Sequence, residues 1–351
     1  MLDMLTEHQL KELRGLLEKS QNPLFLFDND ADGLCSFLLL RRLIDRGYGV
    51  AIKSFPELDV TYIGKVNELK PDYVFVLDKP VISQEFISEV QKLNIPLVWL
   101  DHHDVNPNTE GIHYFNSMRS EKPSSEPTTY WAWQTSKRKE DIWIAMAGCI
   151  ADSFIPDFAD EFEKQYPELW KTGIKNAFQG VYETEIGKIT RIFGFALKDR
   201  TSNVVRMIKH LSKIKSPHEV LQDAGNMMLQ RFEQVEKKYK KLVEKAKLFA
   251  KDKLLFFQYG GELSLSADIA NELSYLYPEK TIVVAYIRGA RANVSVRGKK
   301  ARELTLNAIE GLEGATGGGH KEATGAKMTV EQLPVFKEKI EKLLGRTCSY
   351  S

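Results

Sequence analysis

The fold is decided by residues 24–33, LFLFDNDADG, in which a short apolar run ends in three alternating aspartates and a glycine. An apolar run of this length, bounded by turn residues, is typical of a buried strand. The Asp-Gly end favours a turn. Residues 34–47 follow with helical spacing and close on Gly47, which is a stop signal for a helix. We therefore expect a strand, a carboxylate-rich turn and a helix in direct succession.

Strand-like and helix-like segments alternate along the chain after this point. Residues 50–55, 73–78 and 96–101 are predicted strands, and residues 85–93 form the helix between the last two. Near-continuous apolar strands separated by helices are typical of a parallel sheet with helices on both faces. The predicted fold class is therefore α/β.

Three of the predicted strands end in aspartate, at Asp28, Asp78 and Asp101. In open α/β sheets, ligand sites lie at the carboxyl ends of the strands. These carboxylates are therefore expected to converge in one crevice. A predicted apolar helix over residues 141–154 brings a further carboxylate, Asp152, to its end.

The turn DNDADG places Asp28, Asp30 and Asp32 at alternate positions. Like charges this close repel and raise each other's pKa, and a divalent cation would relieve that repulsion. A turn with a helix N-cap needs only one such residue, so three favour a metal site. An EF-hand is not expected, because residues 35–40 contain no acid to complete a calcium loop.

A second candidate site follows the strand that ends in Asp101, where His102 and His103 come next. Carboxylate oxygen beside imidazole nitrogen suits manganese, iron or zinc better than calcium. Taken singly, Asp78 and Asp152 are as consistent with a cap or a turn as with metal binding.

Composition limits the classes of function. The 351-residue chain carries 49 basic and 48 acidic residues, a net charge of +1, which argues against wrapping duplex nucleic acid by bulk attraction. Cys35, Cys149 and Cys348 form no CxxC pair, so neither a disulfide framework nor a thiolate zinc site is expected and a reducing cytoplasm fits. The N-terminal residues lack a signal-peptide pattern, and we expect no membrane span.

The length of the chain predicts two domains. Residues 217–252 include a long segment rich in lysine and glutamate, which we interpret as a solvated linker helix, with a basic face for nucleic acid as the alternative. The first domain would then span residues 1–216. Strand and helix patterns resume in a smaller α/β domain at residues 253–351.

A glycine-rich segment at residues 314–326, GATGGGHKEATGA, is the candidate binding element of the second domain. Successive glycines let backbone N–H groups approach an anion closely. His320 within the segment, and Arg288, Arg291 and Arg297 on predicted strands nearby, would add donors and charge. We therefore interpret this segment as a phosphate-binding loop.

These segments resemble one family when they are taken together. The order DNDADG, VLDKP, LDHHD and GCIADSFIPDF is similar to the four signature segments of the DHH phosphoesterases, which include the RecJ nucleases. The C-terminal half resembles the associated DHHA1 domain through residues 295–297 and 317–320. One departure is Leu24, because many small-substrate relatives carry a histidine four residues before the first aspartate; this favours the nuclease branch.

The resemblance implies two manganese (or magnesium) ions with an activated water between them. The implied metal ligands are Asp28, Asp30, Asp32, Asp78, His102 and Asp152. Asp78 would bridge the ions, Asp101 would orient its neighbouring histidine or join the ligands, and His103 would face the scissile phosphate. The implied substrate phosphate site of the second domain consists of Ser295, Arg297, Gly318, Gly319 and His320.

The function that the resemblance implies is an exonuclease. It would hydrolyse single-stranded DNA or RNA, or short oligonucleotides, to nucleoside monophosphates, like the compact archaeal RecJ-like nucleases or the nanoRNases. Two alternatives stay open. One is a small-nucleotide phosphodiesterase or phosphatase acting on cyclic dinucleotides or 3′-phosphoadenosine 5′-phosphate; the other is a non-catalytic replication scaffold. A helicase or a replication or repair protein is a candidate partner, for which the helical region 160–250 would offer a surface.

Overall fold

The chain divides into two compact units, Met1–Glu233 and Gln234–Ser351. The computed structural model describes residues 5–54, 56–119, 123–222, 227–250 and 252–346. The division falls inside the segment interpreted above as a linker. The domain boundaries at residues 216 and 252 remain predictions.

The first unit alternates strands with helices, as its sequence pattern predicts. Its strands are β1 (Leu24–Asp28), β2 (Tyr48–Ile52), β3 (Glu57–Leu58), β4 (Val74–Leu77), β5 (Val81–Ile82), β6 (Leu97–Asp101) and β7 (His113–Asn116). Its helices are α1 (Glu7–Lys19), α2 (Ala31–Ile44), α3 (Ile63–Leu69), α4 (Gln84–Lys92), α5 (Thr128–Ser136), α6 (Ile142–Ala151), α7 (Ala159–Gln165), α8 (Ala177–Glu183), α9 (Glu185–Leu197), α10 (Thr201–Leu211) and α11 (Pro217–Gln222). A further helix, α12 (Met227–Lys247), begins in this unit and continues into the second.

The main sheet of the first unit is parallel, which confirms the predicted fold class. Its strand order is β2-β1-β4-β6-β7, and all four neighbouring pairs run in the same direction. The chain leaves β1 to form β2 on one side and then crosses to β4 on the other side. The carboxyl ends of β1 and β4 therefore flank a topological switch point, where α/β sheets place their ligand sites.

Both faces of this sheet are buried. Phe25 and Phe27 point towards α2, where Phe27 and Phe37 stack with their ring centroids 5.0 Å apart. Leu26 and Trp99 belong to the buried cluster on the opposite face, with residues of α3 and α4. Each fully buried side chain of this size contributes about 1.5–3 kcal/mol. The two-sided burial explains why the strands are apolar along their whole length.

Helix α6 packs closely against α2 and α5 because residue 148 is glycine. A Cβ atom at Gly148 would lie 2.3 Å from Thr129 Oγ1 and 2.7 Å from the Cβ atom of Cys35. Neither contact is sterically possible without movement of a helix. The glycine therefore fixes the depth of α6, and with it the position of Asp152 directly after the helix end.

Two expectations from composition concern disulfides and membranes. Cys35 and Cys149 are free and buried, and burial raises the pKa of both thiols well above the usual value. Cys348 lies outside the described residues. No helix in the described part of the chain is both long and apolar enough to cross a membrane.

The second unit is built on a mixed five-stranded sheet. Its strands are β8 (Leu254–Gly260), β9 (Thr281–Arg288), β10 (Arg291–Arg297), β11 (Thr316–Gly319) and β12 (Ala323–Thr329), and its further helices are α13 (Ser266–Leu276), α14 (Ala301–Ile309) and α15 (Leu333–Arg346). The strand order is β11-β12-β10-β9-β8. Only β8 and β9 pair in parallel, and the other pairs are antiparallel.

The glycine-rich segment differs from the loop that its composition predicts. Residues 316–319 form β11, which pairs antiparallel with β12, so the segment is the edge hairpin of the second sheet. Gly319 has a φ of +133°, in a region that side chains rarely adopt, and a Cβ atom there would lie 2.6 Å from the carbonyl oxygen of Ala323. The backbone of the hairpin end thus requires glycine at this position.

Helix α12 also differs from the solvated helix that its lysines and glutamates predict. Buried apolar residues recur along one face at Phe232, Val235, Tyr239, Val243 and Ala246, a spacing of three or four that gives a helix an apolar stripe. Within the second unit, the Tyr239 hydroxyl group contacts the carboxylate of Glu272 on α13. One face of the helix therefore belongs to the core.

Candidate metal centre

The candidate site lies at the carboxyl edge of the parallel sheet, at the ends of β1, β4 and β6. Because these three strands are neighbours in the sheet, the structure brings Asp28, Asp78 and Asp101 to one edge, as expected from their positions after the strands. Asp152 is supplied by a helix and not by a strand, since it is the C-cap residue of α6.

His102 lies at the centre of the acidic cluster and is almost completely buried. Its Nε2 atom is 3.4 Å from Asp78 Oδ1, 3.5 Å from Asp152 Oδ2 and 3.9 Å from Asp32 Oδ2. Burial lowers the pKa of this ring, but the surrounding carboxylates, led by Asp152, raise it above the usual value. One imidazole nitrogen facing three carboxylates is a donor set for a divalent transition metal.

Asp32 combines a place in this cluster with a structural role. Its two carboxylate oxygens accept the backbone N–H groups of Thr128 at 3.0 Å and Thr129 at 2.8 Å. The side chain therefore caps the first turn of α5, where helices have N–H groups to satisfy. Burial raises the pKa of this carboxyl group, although His102 and the bonds from Thr129 counteract the rise.

Thr128 was not among the residues singled out from the sequence. Its hydroxyl group donates to Asp78 Oδ1 at 3.2 Å, so it links the carboxylate that follows β4 to the start of α5. The only sequence signal was the pair of threonines after Pro127, which resembles any helix start. Thr128 is fully buried and holds the Asp78 side chain in place.

Asp30 is the N-cap residue of α2, and its Oδ1 atom accepts the Gly33 N–H at 2.9 Å. Asp30 is exposed to solvent as a residue, but enclosure of its carboxyl group by the turn acts with the charges of Asp28 and Asp32 to raise its pKa to about 7. Gly33 permits this tight turn, because a Cβ atom there would lie 2.5 Å from the carbonyl oxygen of Asp28. The turn therefore serves as a helix cap and as an acidic site together.

Asp78 adopts a left-handed backbone conformation with a φ of +59°. Such a conformation is uncommon outside glycine and is found at functional sites. Burial, followed by the charges of Asp32 and Asp30, raises the pKa of its carboxyl group well above the usual value. Three neighbouring carboxylates, those of Asp32, Asp30 and Asp28, contribute to this rise, which is the electrostatic situation that a bound cation relieves.

Asp101 pairs with His103, which lies two residues further along the chain, and not with the adjacent His102. Its Oδ1 atom is 2.7 Å from His103 Nδ1, and its Oδ2 atom accepts the backbone N–H of His103 at 3.1 Å. Asn116 Nδ2 donates to Oδ2 at 3.3 Å. Burial lowers the pKa of His103, but Asp101 overcomes this effect and raises it to about 9. Asp101 is therefore placed to orient His103, and its orienting role stays a prediction.

Lys79 is a second residue that the sequence analysis missed. It is completely buried, and its Nζ atom lies 2.7 Å from Asp28 Oδ1 and 2.7 Å from the carbonyl oxygen of Ser54. Trp99 Nε1 donates to the Lys79 carbonyl oxygen at 2.8 Å, which fixes the backbone as well. Asp28 is thus held by an ammonium group, unlike the other carboxylates assigned to the metal shell.

The donor atoms of the cluster fit divalent cations. Two groups each bring three ligand atoms within 4.8 Å of one another: Asp32, His102 and Asp152, and Asp78, Asp101 and His103. The groups adjoin, because Asp78 Oδ1 lies 3.4 Å from His102 Nε2. Oxygen with imidazole nitrogen suits manganese, iron or zinc, and a carboxylate-rich set also suits magnesium. The arrangement could therefore hold two neighbouring cations.

In the second unit, most of the residues expected to bind phosphate lie near one end of the sheet. Arg297 is the last residue of β10. Its Nη1 atom donates to the Thr324 carbonyl oxygen at 3.2 Å, and its Nε atom donates to Asn271 Oδ1 at 2.5 Å. Gly319 pairs with Thr324, and His320 follows in the turn to β12. The Arg297 guanidinium group is therefore positioned beside the turn of the glycine hairpin.

The remaining residues predicted to bind phosphate lie at different places in the second sheet. Ser295 is buried and its hydroxyl group donates to Ser266 Oγ at 3.0 Å, while Gly318 lies on β11 with open space where a Cβ atom would be. Arg288 and Arg291 pair with each other at the end of the β9–β10 hairpin opposite to Arg297. These two arginines are therefore too far along the strands to support the same anion site.

Comparison with known protein families identifies the second unit. The family model described as the DHHA1 domain matches residues 252–346, which include all five strands of the second sheet. This confirms the predicted nature of the C-terminal part. No curated protein sequence matches the chain significantly.

Solved structures share the fold of the whole chain at low sequence identity. An exonuclease RecJ bound to manganese matches with a TM-score of 0.65 and 15% identity, over 96% of this chain and 94% of that one. RecJ from Thermus thermophilus in complex with Mn²⁺ matches with a TM-score of 0.63 and 17% identity, over 99% of this chain and 56% of the other. This chain thus spans about half the length of that RecJ. CDC45 from Entamoeba histolytica matches with a TM-score of 0.56 and 9% identity, over 95% and 98% of the two chains.

Proposed function

Because the chain has the fold of the RecJ-like DHH/DHHA1 proteins and carries a DHHA1 domain, we propose that it is a metal-dependent phosphodiesterase that removes nucleotides from single-stranded DNA or RNA or from short oligonucleotides. The observation that carries this proposal is the environment of His102. Its Nε2 atom faces three carboxylates within 3.9 Å at the carboxyl edge of the sheet. Burying so many acids together is costly unless cations neutralise them.

The residues that would hold the cations are Asp32, His102 and Asp152 of the first group and Asp78 of the second, while Asp101 and His103 of the second group are assigned to the substrate below. Asp30 at the rim is a further candidate ligand, and Asp78 is placed to contact both groups. When bound, divalent manganese or magnesium would supply a nucleophilic water at neutral pH and stabilise charge on the phosphoryl oxygens. Asp28 would contribute less directly, since Lys79 holds one of its oxygens.

His103 is the residue that we assign to the scissile phosphate. Asp101 binds its Nδ1 atom, which orients the ring so that Nε2 is the nitrogen that can approach a substrate. In the metal-free protein, Asp101 raises the pKa of His103 to about 9 and so favours the protonated ring. A protonated ring at this place would donate a hydrogen bond to a phosphoryl oxygen and stabilise the charge that develops in the transition state.

The second unit would bind a phosphate group of the substrate through Arg297, His320 and the backbone of Gly318 and Gly319. The guanidinium group of Arg297 offers planar donors that suit phosphate, and the glycine hairpin lets backbone N–H groups approach an anion. Ser295 would support this site from within the core. We propose that this contact, rather than the metal centre, distinguishes a nucleotide chain from a small nucleotide.

The proposal is tested with end-labelled DNA and RNA oligomers of graded length, incubated with Mn²⁺, with Mg²⁺ and with a chelator. We expect stepwise shortening that needs the cation and stops in the Asp78→Asn variant. Turnover of cyclic dinucleotides or 3′-phosphoadenosine 5′-phosphate alone would reassign the chain to small nucleotides. Cleavage that survives complete chelation would contradict the metal-dependent mechanism.

A replication scaffold without catalysis is the competing function, since CDC45 shares the fold. The cluster around His102 favours an enzyme, because a scaffold gains nothing from burying several carboxylates beside one another. Equilibrium binding of Mn²⁺ to the wild-type chain, followed by calorimetry, separates the two functions independently of any substrate. Absence of binding would favour the scaffold, whereas binding would support the cation-dependent function that the oligomer assay tests.

A further inference from the structure

The open edge of the parallel sheet is formed by β2. Within the described residues, β2 pairs with β1 alone. Tyr48 N–H donates to the Pro23 carbonyl oxygen at 3.0 Å, and main-chain groups alternate along a parallel strand. The N–H and C=O groups of Gly49 and Ala51 therefore point away from the sheet. At the end of the strand the edge closes, because the Tyr62 hydroxyl group accepts the Lys53 N–H at 2.7 Å.

A groove of about 580 Å³ runs along this edge. We call it the β2 groove, and the backbone of residues 48–51 forms its base. One wall consists of Leu69 on α3 and the preceding Tyr62, and the other consists of Val204 and Ile208 on α10. Its base is therefore a strand edge with hydrogen-bonding groups, and its walls are two helices with apolar side chains. This is the geometry into which an extended peptide fits as an added strand.

Apolar side chains are exposed at the rim of the β2 groove. Tyr48 and Val205 are each 52% exposed, although both lie beside the backbone groups of an open strand edge. An open strand edge with apolar side chains beside it can pair with another chain. The β2 groove therefore has the properties of a binding surface.

The charge around the β2 groove is strongly one-sided. Five basic residues and one acidic residue line it: Arg41, Lys53, Lys65, Lys209, Lys213 and Glu68. The chain as a whole carries 49 basic and 48 acidic residues, so this excess is local. Glu68 is already paired with Lys65 at 2.5 Å. Arg41 is likewise paired with Asp45 at 3.5 Å. The other three cations, Lys53, Lys209 and Lys213, would attract an acidic ligand and repel a basic one.

We propose that the β2 groove binds an extended acidic segment of a partner protein, which pairs with β2 as an additional strand. The backbone edge and the apolar walls select a peptide over a nucleic acid. An incoming strand satisfies both the N–H and the C=O groups of Gly49 and Ala51, whereas a phosphate is repelled by the carbonyl oxygens. Alternate apolar side chains of the peptide would face the two walls, and its acidic residues would face the lysines.

The test uses fluorescein-labelled nine-residue peptides in which valine, isoleucine or leucine alternates with aspartate or glutamate. Binding to the full-length protein is measured by fluorescence anisotropy, with lysine-containing peptides of the same pattern and with an oligothymidylate in chelator. We expect only the acidic peptides to bind. Amide hydrogen exchange at Gly49 and Ala51 should slow when they do, because both N–H groups become hydrogen-bonded.

Two variants change the β2 groove without touching the metal centre. Lys209→Glu with Lys213→Glu should weaken binding by about tenfold, since two attractive charges become repulsive, and Val205→Asp should weaken it through the apolar wall. All three residues are exposed, so the variants are expected to fold. The matched control, Lys237→Glu with Lys241→Glu, makes the same change of charge on α12 outside the groove and should bind like the wild type.

Three outcomes would overturn the proposal. They are the absence of binding by the acidic peptides, equal binding by the groove variants and the wild type, and binding of the oligothymidylate in place of the peptides. The last outcome would make the groove a nucleic-acid site. Since the metal centre lies at the ends of β1, β4 and β6, none of these results depends on whether the chain is a nuclease.

Discussion

Lys79 introduces a positive charge beside a cluster that would otherwise contain only carboxylates and histidines. The ammonium group is completely buried and lies 2.7 Å from Asp28 Oδ1. An ion pair of this kind depends on both partners, since removing one leaves a charge without compensation. Lys79 thus neutralises one aspartate of the DNDADG turn whether or not a cation is bound.

We expect Lys79→Met to destabilise the metal-free protein by about 2–3 kcal/mol, less than for a fully enclosed pair because Asp28 is 21% exposed. The loss should be at least halved in Mn²⁺, because a cation can take over the positive charge beside Asp28. Thermal unfolding with chelator and with Mn²⁺ measures both quantities. Lys65→Met, which breaks an exposed pair with Glu68, is the control and should cost little. Equal losses in both conditions would contradict this role.

Asp101→Asn should lower the pKa of His103 from about 9 towards or below the usual 6.5, because burial then acts without the opposing carboxylate. Titration of the ring by NMR measures this directly. If the chain is a nuclease, kcat should fall by about tenfold to a hundredfold with little change in KM, as for other residues that orient a side chain at a metal site. Glu12→Gln, beside the surface residue His113, should leave the titration of His103 unchanged. An unaltered pKa in Asp101→Asn would show that another group controls the ring.

At the scale of elements, the close packing of α6 makes a sharp prediction. Gly148→Ala should destabilise the first unit by about 1–3 kcal/mol, because its Cβ atom would overlap Thr129 Oγ1 and the Cβ atom of Cys35. Gly194→Ala in α9 is the matched control, since a Cβ atom there has nothing within 4 Å. That change should be neutral or stabilising by up to about 1 kcal/mol. Chemical denaturation compares the two variants, and similar free energies of unfolding would contradict the packing argument.

Sequence patterns were most informative where one element follows directly from local chemistry. The LFLFDNDADG segment gives a strand, a turn and a helix in the predicted order, because Asp30 caps α2 and Gly33 permits the close approach to β1. The convergence of Asp28, Asp78 and Asp101 also follows from sequence, since the ends of parallel strands meet at one edge.

Other elements depend on partners that are distant in the chain. The burial of Lys79 depends on the hydrogen bonds that its Nζ atom donates to Asp28 and Ser54. No pattern in the sequence near residue 79 predicts it. The hairpin at residues 316–326 exists because β12 pairs with β11, while its glycines on their own predict a loop. The apolar face of α12 was visible in the spacing of its aromatic and aliphatic residues, but the many lysines and glutamates outweighed it.

At the scale of the whole molecule, the acids and histidines of the cluster make the stability of the metal-free protein dependent on pH. The pKa of Asp30 rises from 3.8 to about 7, and that of His103 rises from 6.5 to about 9. A group whose pKa is raised by folding stabilises the fold below its unfolded pKa, and this contribution is lost as pH rises through the folded pKa. The contribution of Asp30 to stability is therefore lost between pH 3.8 and about 7, and that of His103 is lost between pH 6.5 and about 9.

We expect the melting temperature of the metal-free protein to fall between pH 6.5 and 9, the window that His103 sets. The gain in melting temperature on adding Mn²⁺ should also increase as pH rises, because the cation binds His102, whose pKa is raised as well, in its deprotonated form. Scanning calorimetry with chelator and with Mn²⁺ at several pH values tests both expectations. In the double variant Asp30→Asn with Asp101→Asn, the melting temperature of the metal-free protein should depend less on pH. A metal-free protein that becomes more stable as pH rises through this range would contradict the electrostatic description of the site.

The spacing of the cluster along the chain has a consequence for synthesis on the ribosome. The strand that carries Asp28 is made early, but its neighbour β4 and the residues Asp101, His102 and Asp152 follow only later. Parallel strands need long crossovers before they pair, and domains made first tend to fold first. The nascent chain therefore cannot close the cluster around a cation until α6 has left the exit tunnel. Until then, the cluster lacks Asp152, so completion of the metal site should mark a late step in the folding of the first unit.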